Sequence, residues 1–142
     1  NSPYDKFAKG DKKALTAQQV RGLNKAVELG CVGCHSGPAF NGPGTFQKFP
    51  LIDNAYLEKQ YKLSADKGLY EVTGKSGDEN MFKVPTLRNI ALTAPYFHNG
   101  SVKTLDKAVK IMANVQLGQK LTDAEVNDIV AFLNALICAV KS

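Results

Sequence analysis

Cysteine and histidine are scarce in this sequence, and their scarcity excludes two common kinds of site. The 142 residues include three cysteines and two histidines. Three cysteines do not indicate a disulfide framework. A zinc site built on Cys31 and Cys34 would need a second pair of ligands, and beyond His35 only Cys138 and His98 remain for it.

Long apolar runs and concentrated positive charge are missing as well. The most apolar uncharged run, residues 129–140, is too short to span a bilayer. The net charge is +5, but the lysines are scattered, which argues against a nucleic-acid partner and indicates a solvated surface with a mild preference for acidic partners.

No signal peptide is visible, and the start at Asn1 is consistent with a processed mature protein. Length and composition predict one domain over residues 1–142.

The stretch Cys31-Val32-Gly33-Cys34-His35 is the attachment pattern of a c-type haem. The two thiols add to the haem vinyl groups as thioethers, and the histidine then binds the iron. A thioredoxin-like redox pair would belong to a βαβ unit, which the sequence does not show. We therefore predict one covalent haem c, attached through Cys31 and Cys34 with His35 as an iron ligand. Covalent haem is normally attached outside the bacterial inner membrane, so the motif also predicts a periplasmic protein.

The second axial position of the iron has several candidate ligands in the sequence, namely Met81, Met112, His98 or a lysine. A thioether stabilises ferrous iron and suits an electron carrier, whereas an open position suits a peroxidase or a gas sensor. Met112 lies on the apolar face of a predicted helix. We therefore favour His35 and Met112 as the metal ligands, and expect His98 to form hydrogen bonds near a haem propionate.

Capping patterns and apolar periodicity predict several helices. They cover Thr16 to Leu29 with Gly30 as the C-terminal cap, 54–63, Thr104 to Val115, and a final helix from Thr122 to Val140. A short strand is predicted at 69–72.

The remaining chain is predicted to be irregular. Residues 1–15 are expected to form an N-terminal arm on the surface, and the Gly- and Pro-rich stretch 36–50 a loop over one haem edge. A helix before the haem motif and a long helix at the end are the class I cytochrome c arrangement. The prediction is an all-α, class I cytochrome c-like fold with the N- and C-terminal helices crossing around a covalent haem, long loops, and a haem-binding core over 16–142.

Several segments together resemble the C-terminal, electron-transfer domain of bacterial dihaem cytochrome c peroxidases and their MauG relatives. Beside the haem motif, the matching segments are residues 1–7, 70–74, 82–89, 93–98 and 116–118.

This resemblance has implications for individual residues. It implies that Cys31, Cys34 and His35 hold the family's high-potential haem and that Met112 is its distal ligand. It also implies that Arg88 lies near the haem propionates. In the dihaem enzymes, carbonyls at positions like Thr93 and Pro95 help to bind a calcium ion between the domains. The other half of that site is not in this sequence, which leaves calcium binding doubtful.

The sequence also departs from the family pattern, because it has no second CxxCH motif and no tryptophan. The expectation is therefore a free-standing periplasmic monohaem cytochrome that carries single electrons between redox proteins, with no membrane span, and is not an enzyme. The alternatives are a peroxidase or a sensor of CO or NO in which Met112 dissociates from the iron, and a fragment of a larger dihaem enzyme.

Overall fold

The computed structural model of this chain describes residues 1–139. Within that range the fold is mostly helical, with one small antiparallel sheet. The helices are α1 (Pro3–Ala8), α2 (Ala17–Leu29), α3 (Cys31–Cys34), α4 (Ala55–Tyr61), α5 (Tyr70–Thr73), α6 (Leu105–Leu117) and α7 (Asp123–Asn134), and the strands are β1 (Phe46–Lys48) and β2 (Met81–Lys83). Single 3-10 turns cover Ser76–Asp78 and Ile90–Leu92.

Local sequence signals account for where the principal helices begin and end. Thr16 and Thr122 each form a capping box with the residue three positions later, at the starts of α2 and α7. Gly30 ends α2 in the left-handed conformation, with φ of 91°. The predicted helices 54–63 and 104–115 are confirmed as α4 and α6.

The crossing of α2 with α7 is the central contact of the fold, and a glycine makes it possible. A Cβ placed on Gly22 would lie 1.8 Å from the carbonyl oxygen of Asp128 and 2.9 Å from Cβ of Phe132. The two helix backbones can therefore meet this closely only because Gly22 has no side chain. Ion pairs of Arg21 with Asp128 and of Lys25 with Glu125 connect the same two helices. The crossing of N- and C-terminal helices is confirmed.

Two apolar clusters share the interior. One joins α2, α3 and α7 around Phe132, Leu133 and Leu136, and the other contains the buried face of α6 with Ile111 and Val115. Because Leu105 packs against both clusters, α6 forms part of the wall between them. The small sheet pairs Gln47 with Phe82 and lies beside the second cluster, which includes Phe82.

The structure differs from the sequence expectations in several local respects. Strand β1 lies within the stretch 36–50, which was predicted to be a loop, because it pairs with β2 far along the chain. Residues 70–73 form helix α5 where a strand was predicted at 69–72. Gly68 and Gly74 have φ of 62° and 65° at either side, and the Gly74 N–H closes the turn on the Tyr70 carbonyl. Glycine readily adopts this left-handed conformation, which closes a helical turn and interrupts an extended strand.

The final helix ends earlier than predicted. Helix α7 stops at Asn134, because Asn89 binds the chain beyond it: the Asn89 side chain accepts from the Cys138 N–H, and the Asn89 N–H donates to the Leu136 carbonyl. The apolar periodicity continues past Asn134, but this tertiary contact overrides it. The predicted C-terminal end at Val140 lies outside the described residues.

The segment 1–15 contains a short helix that packs on the body of the protein. Ser2 and Asp5 form a capping box at the start of α1, and Pro3 occupies the first helical position. Ser2 is fully buried and Tyr4 packs against the cluster around Phe132. The Ser-Pro-x-Asp pattern of residues 2–5 is a helix-start signal that the prediction of an irregular arm did not use.

Among residues 1–139, no helix combines the length and the apolar character that crossing a bilayer requires.

We predict that Gly22→Ala destabilises the protein by about 3 kcal/mol, because the added methyl group forces α2 away from α7. Gly77→Ala is the matched control, since a Cβ there meets no atom within 4 Å, and it should change the free energy of unfolding by less than about 0.5 kcal/mol. Urea unfolding followed by circular dichroism measures both. Equal effects of the two substitutions would contradict the role of Gly22.

Candidate haem site

A cavity of about 380 Å³ lies between the helices, and its lining is predominantly apolar. Residues of α2, α3, α6 and α7 line it, together with the segment from Phe82 to His98. Cys31, Cys34, His35 and Met112 all contribute to this one lining. The structure therefore brings the haem attachment motif and the favoured distal ligand to the same cavity.

The imidazole of His35 is held by two backbone carbonyls. Its Nδ1 lies 3.0 Å from the carbonyl oxygen of Pro85 and 3.2 Å from that of Phe40. Both neighbours can only accept, so the Nδ1 atom carries the proton and Nε2 keeps its lone pair. Burial lowers the pKa of His35, and the two carbonyls partly offset that effect. The ring is thus neutral at pH 7, with Nε2 available to a metal.

The two cysteines of the motif lie one helical turn apart on α3. Gly30 and His35 flank this four-residue helix, and the His35 N–H donates to the Cys31 carbonyl. Neither cysteine forms a disulfide, and Cys31 is partly buried while Cys34 is exposed. Burial raises the pKa of the Cys31 thiol. Two thiols on one turn, followed by a neutral imidazole, form the donor set that a c-type haem requires.

The cavity separates the candidates for the second axial position. Met112, on α6, and His98 both line it, whereas Met81 on β2 is not among its lining residues. Leu105, Ala108 and Val109 line it as well, which confirms the predicted apolar face of α6. Met112, His98 and one lysine, Lys83, thus share the cavity with His35.

The ring of His98 forms part of the cavity wall by stacking on an aromatic side chain. Its centroid lies 3.5 Å from that of Phe82, with 17° between the ring planes, and Phe49 packs at 6.1 Å on an inclined plane. Burial lowers the pKa of His98, and the nearby Asp66 carboxylate partly offsets this. His98 is therefore a neutral, stacked ring, and its expected contact with a propionate stays a prediction.

Arg88, the predicted propionate neighbour, uses its donors within the protein. The guanidinium forms an ion pair with Asp5, bonds to the hydroxyl of Ser2 and donates twice to the carbonyl of Pro38. These contacts engage all five of its N–H groups. Arg88 is not among the described residues that line the cavity. Its predicted role near the propionates stays a prediction, while its observed role is to bind α1 to the loop after the haem motif.

Other metal sites find little support in the described part of the chain. Residues 1–139 contain no group of three or more His, Cys, Asp or Glu side chains that could hold a metal ion. Thr93 and Pro95 line the cavity, and calcium binding by their carbonyls stays doubtful.

Sequence reasoning missed the carbonyls that hold His35 and the partner of Arg88. The residue types concerned, Phe40 and Pro85, carry no recognisable signal, because a backbone carbonyl is present at every position. The one available signal for Asp5 was the capping pattern with Ser2.

Residues 20–136 match the family model of cytochrome c. This chain belongs to the cytochrome c family. Covalently bound haem c follows from that membership, in agreement with the donor set on α3 and the apolar cavity beside it. The fold and the family thus confirm the predicted cytochrome c-like fold and the covalent attachment of haem c.

The curated relatives are similar to nearly the whole chain but are much longer. The cytochrome c551 peroxidase of Pseudomonas aeruginosa is 46% identical over 136 residues, which are 96% of this chain and 38% of that protein. The cytochrome c551 peroxidase of Nitrosomonas europaea is 44% identical, over 95% of this chain and 39% of that protein. The cytochrome c peroxidase of Escherichia coli K12 is 44% identical, over 96% and 29%. This chain thus spans less than two fifths of each of these three relatives.

The solved structures show the same relationship. The chain superposes on a MauG-like protein associated with microbial copper homeostasis with a TM-score of 0.78 and 28% identity, covering 96% of this chain and 51% of that one. It also superposes on the dihaem peroxidase of Burkholderia thailandensis, with a TM-score of 0.73 and 22% identity, over 98% of this chain and 46% of that one. The predicted resemblance to the peroxidase and MauG family is confirmed.

These comparisons correct one expectation. The chain was expected not to be an enzyme, because it lacks a second haem motif and tryptophan. The relatives at 44–46% identity over 95–96% of this chain are named cytochrome c peroxidases, which are enzymes. The expectation was wrong because an absence within a segment that spans less than two fifths of its relatives carries no information about catalysis.

We predict that Asp5→Asn lowers the free energy of unfolding by about 2 kcal/mol at pH 7, because it removes a charge-assisted contact with Arg88. Arg88, the N-terminal amine and Ser2 hold the pKa of Asp5 far below its ordinary range. The stabilisation is therefore complete above about pH 4, the ordinary pKa of aspartate, and decreases as the pH falls towards the folded value. Urea unfolding at pH 7 and at pH 2.5 should show a smaller difference between the two proteins at the lower pH. A difference that is independent of pH would contradict the ion pair.

Proposed function

We propose that this chain is a haem c domain of the cytochrome c peroxidase family that transfers single electrons, with its iron held by His35 and Met112. One haem is proposed for this chain, because it contains one CxxCH motif. The bound haem supplies an iron that accepts and releases one electron. The protein residues attach the haem, hold its axial ligands and exclude water.

The observation that carries this proposal is the hydrogen bonding of His35. Carbonyls on Nδ1 select the tautomer whose Nε2 can bind iron and increase the electron donation of the ring. A histidine that served only as a core residue would not require two acceptors on the same nitrogen beside two cysteines on one helical turn.

The position of Met112 supports its assignment as the second iron ligand. It lies in the middle of α6, a thirteen-residue helix with Ile111, Ala113 and Val115 buried beside it, so its backbone is held rigidly. Met112 is only partly buried and lines the cavity that His35 lines. A thioether at the second axial position stabilises the ferrous state and leaves no open site for small ligands.

For the protein as a whole, we propose a part in the reduction of peroxide. The relatives' names support this proposal. Reduction of one hydrogen peroxide to two waters takes two electrons and two protons, so a domain that transfers one electron acts twice in each turnover. Another redox protein is proposed as the donor. Covalent haem attachment supports a periplasmic setting.

We predict that Met112→Leu removes the near-infrared sulfur-to-iron band of the ferric protein and produces a high-spin spectrum, because leucine offers no ligand to iron. Met81→Leu is the matched control, since Met81 is outside the cavity lining, and it should leave that band unchanged. Retention of the band in Met112→Leu, or its loss in Met81→Leu, would contradict the assignment of the ligand.

A second candidate function, in which Met112 leaves the iron so that this haem itself meets peroxide or a gas, is favoured only by the relatives' names. The ferrous protein separates the two functions. If Met112 stays bound, mixing with CO leaves the visible spectrum unchanged over minutes, whereas rapid formation of a CO complex would favour the second candidate.

A further inference from the structure

The two carbonyls that hold His35 belong to separate irregular segments. Phe40 lies in the loop that follows the haem motif, and Pro85 lies just beyond β2. Neither residue is in a helix or strand. The positions of both carbonyls therefore depend on tertiary contacts rather than on the hydrogen bonding of secondary structure.

Phe40 has a backbone conformation that a bulky residue rarely adopts. Its φ is 50°, in the left-handed region. Its ring is buried and packs edge-to-face against Tyr4 of α1 at 5.2 Å and against Phe132 of α7 at 6.2 Å. Such strain persists only when the surrounding contacts impose it, so the direction of the Phe40 carbonyl depends on these neighbours.

Arg88 ties the two segments together. Its guanidinium donates to the Pro38 carbonyl at 2.7 and 3.0 Å and lies over the Phe40 ring at 5.4 Å. Leu87, the residue before Arg88, donates its backbone N–H to the Phe40 carbonyl at 3.3 Å. The loop carrying one acceptor of His35 is thus fastened to the segment carrying the other.

Helix α1 holds Arg88 in turn. The two carboxylate oxygens of Asp5 accept from Nη1 and Nη2 at 3.0 and 2.7 Å, and the Ser2 hydroxyl accepts from Nη1 at 3.0 Å. The side chains of Arg88 and Asp5 are 16% and 21% exposed, so water screens this pair only partly. We call Ser2, Asp5, Arg88 and the Pro38 carbonyl the Arg88 cluster.

We propose that Asp5 and Arg88 are positioning residues for His35, so that helix α1 sets the ferric–ferrous balance of the haem without contacting it. This inference rests on the proposed function, because it takes His35 as an iron ligand. An acceptor on Nδ1 strengthens electron donation by the imidazole and thereby stabilises ferric iron. A loosened Arg88 cluster frees the Phe40 carbonyl, weakens that donation and favours ferrous iron.

The test measures the ratio of ferrous to ferric haem at one fixed ambient potential in the haem-loaded chain. Asp5→Asn removes the charge that holds Arg88. Arg88→Lys replaces a planar fork with a single ammonium, which cannot reach Asp5 and Pro38 together. We expect each variant to raise the ratio about threefold, the effect of a weakened rather than a deleted hydrogen bond.

Glu125→Gln is the matched control. It breaks the ion pair with Lys25 between α2 and α7 but keeps the capping box of α7, since glutamine serves the same role at Gln19 in α2. This control should leave the ratio unchanged. Circular dichroism establishes that each variant is folded, and Arg88→Lys decides the question if Asp5→Asn does not fold.

A second readout is the NMR resonance of the proton on Nδ1 of His35 in the ferrous protein. The chemical shift of this proton should change in both cluster variants and stay the same in the control. The proposal is overturned if the cluster variants show the same ferrous-to-ferric ratio and the same His35 resonance as Glu125→Gln. It is also overturned if they lower that ratio. If the near-infrared spectrum excluded Met112 as a ligand, the proposed function would fail, but the ratio would still decide the role of the Arg88 cluster, because that role concerns His35 alone.

Discussion

The hydrogen bond from Nδ1 of His35 to the Pro85 and Phe40 carbonyls is the contact on which the arrangement of the site depends. His35 follows a four-residue helix, which by itself leaves the direction of the ring open. The two carbonyls determine the ring plane, the tautomer and the nitrogen that remains for a metal. Because they come from chain segments about 45 residues apart, the site exists only after the chain has folded around it.

The helices supply the rigid frame for that contact. Gly22 lets α2 approach α7 closely, and α6 completes the cavity wall with an apolar face that carries Met112. The frame also explains why the loops can be rich in glycine and proline. Their conformation is determined by contacts with helix side chains, such as the packing of the Phe40 ring between Tyr4 and Phe132. The N-terminal segment takes part in this packing through α1.

The peroxidase relatives bear on whether this chain is an electron carrier or part of an enzyme. A cytochrome c domain with one haem motif suggests a carrier, yet the relatives that match nearly all of this chain are peroxidases. The two statements agree under the proposal that electron transfer is one step of turnover in the whole protein. This chain spans 38% of the Pseudomonas aeruginosa relative, so the absence of a second haem motif from its 142 residues is no argument against an enzyme.

The sequence by itself determined the elements that depend on neighbouring residues. The haem motif, the capping boxes at Thr16 and Thr122, the glycine cap at Gly30 and the apolar face around Met112 could all be predicted, because capping and periodicity act within one or two helical turns. Tertiary structure alone decided the end of α7 at Asn134, the engagement of Arg88 by Asp5 and the carbonyls on His35. Each of these depends on groups far apart in sequence, and for a backbone carbonyl no residue type marks the position. Local chemistry therefore specified which side chains are available as candidate haem ligands, and long-range packing specified how they are held.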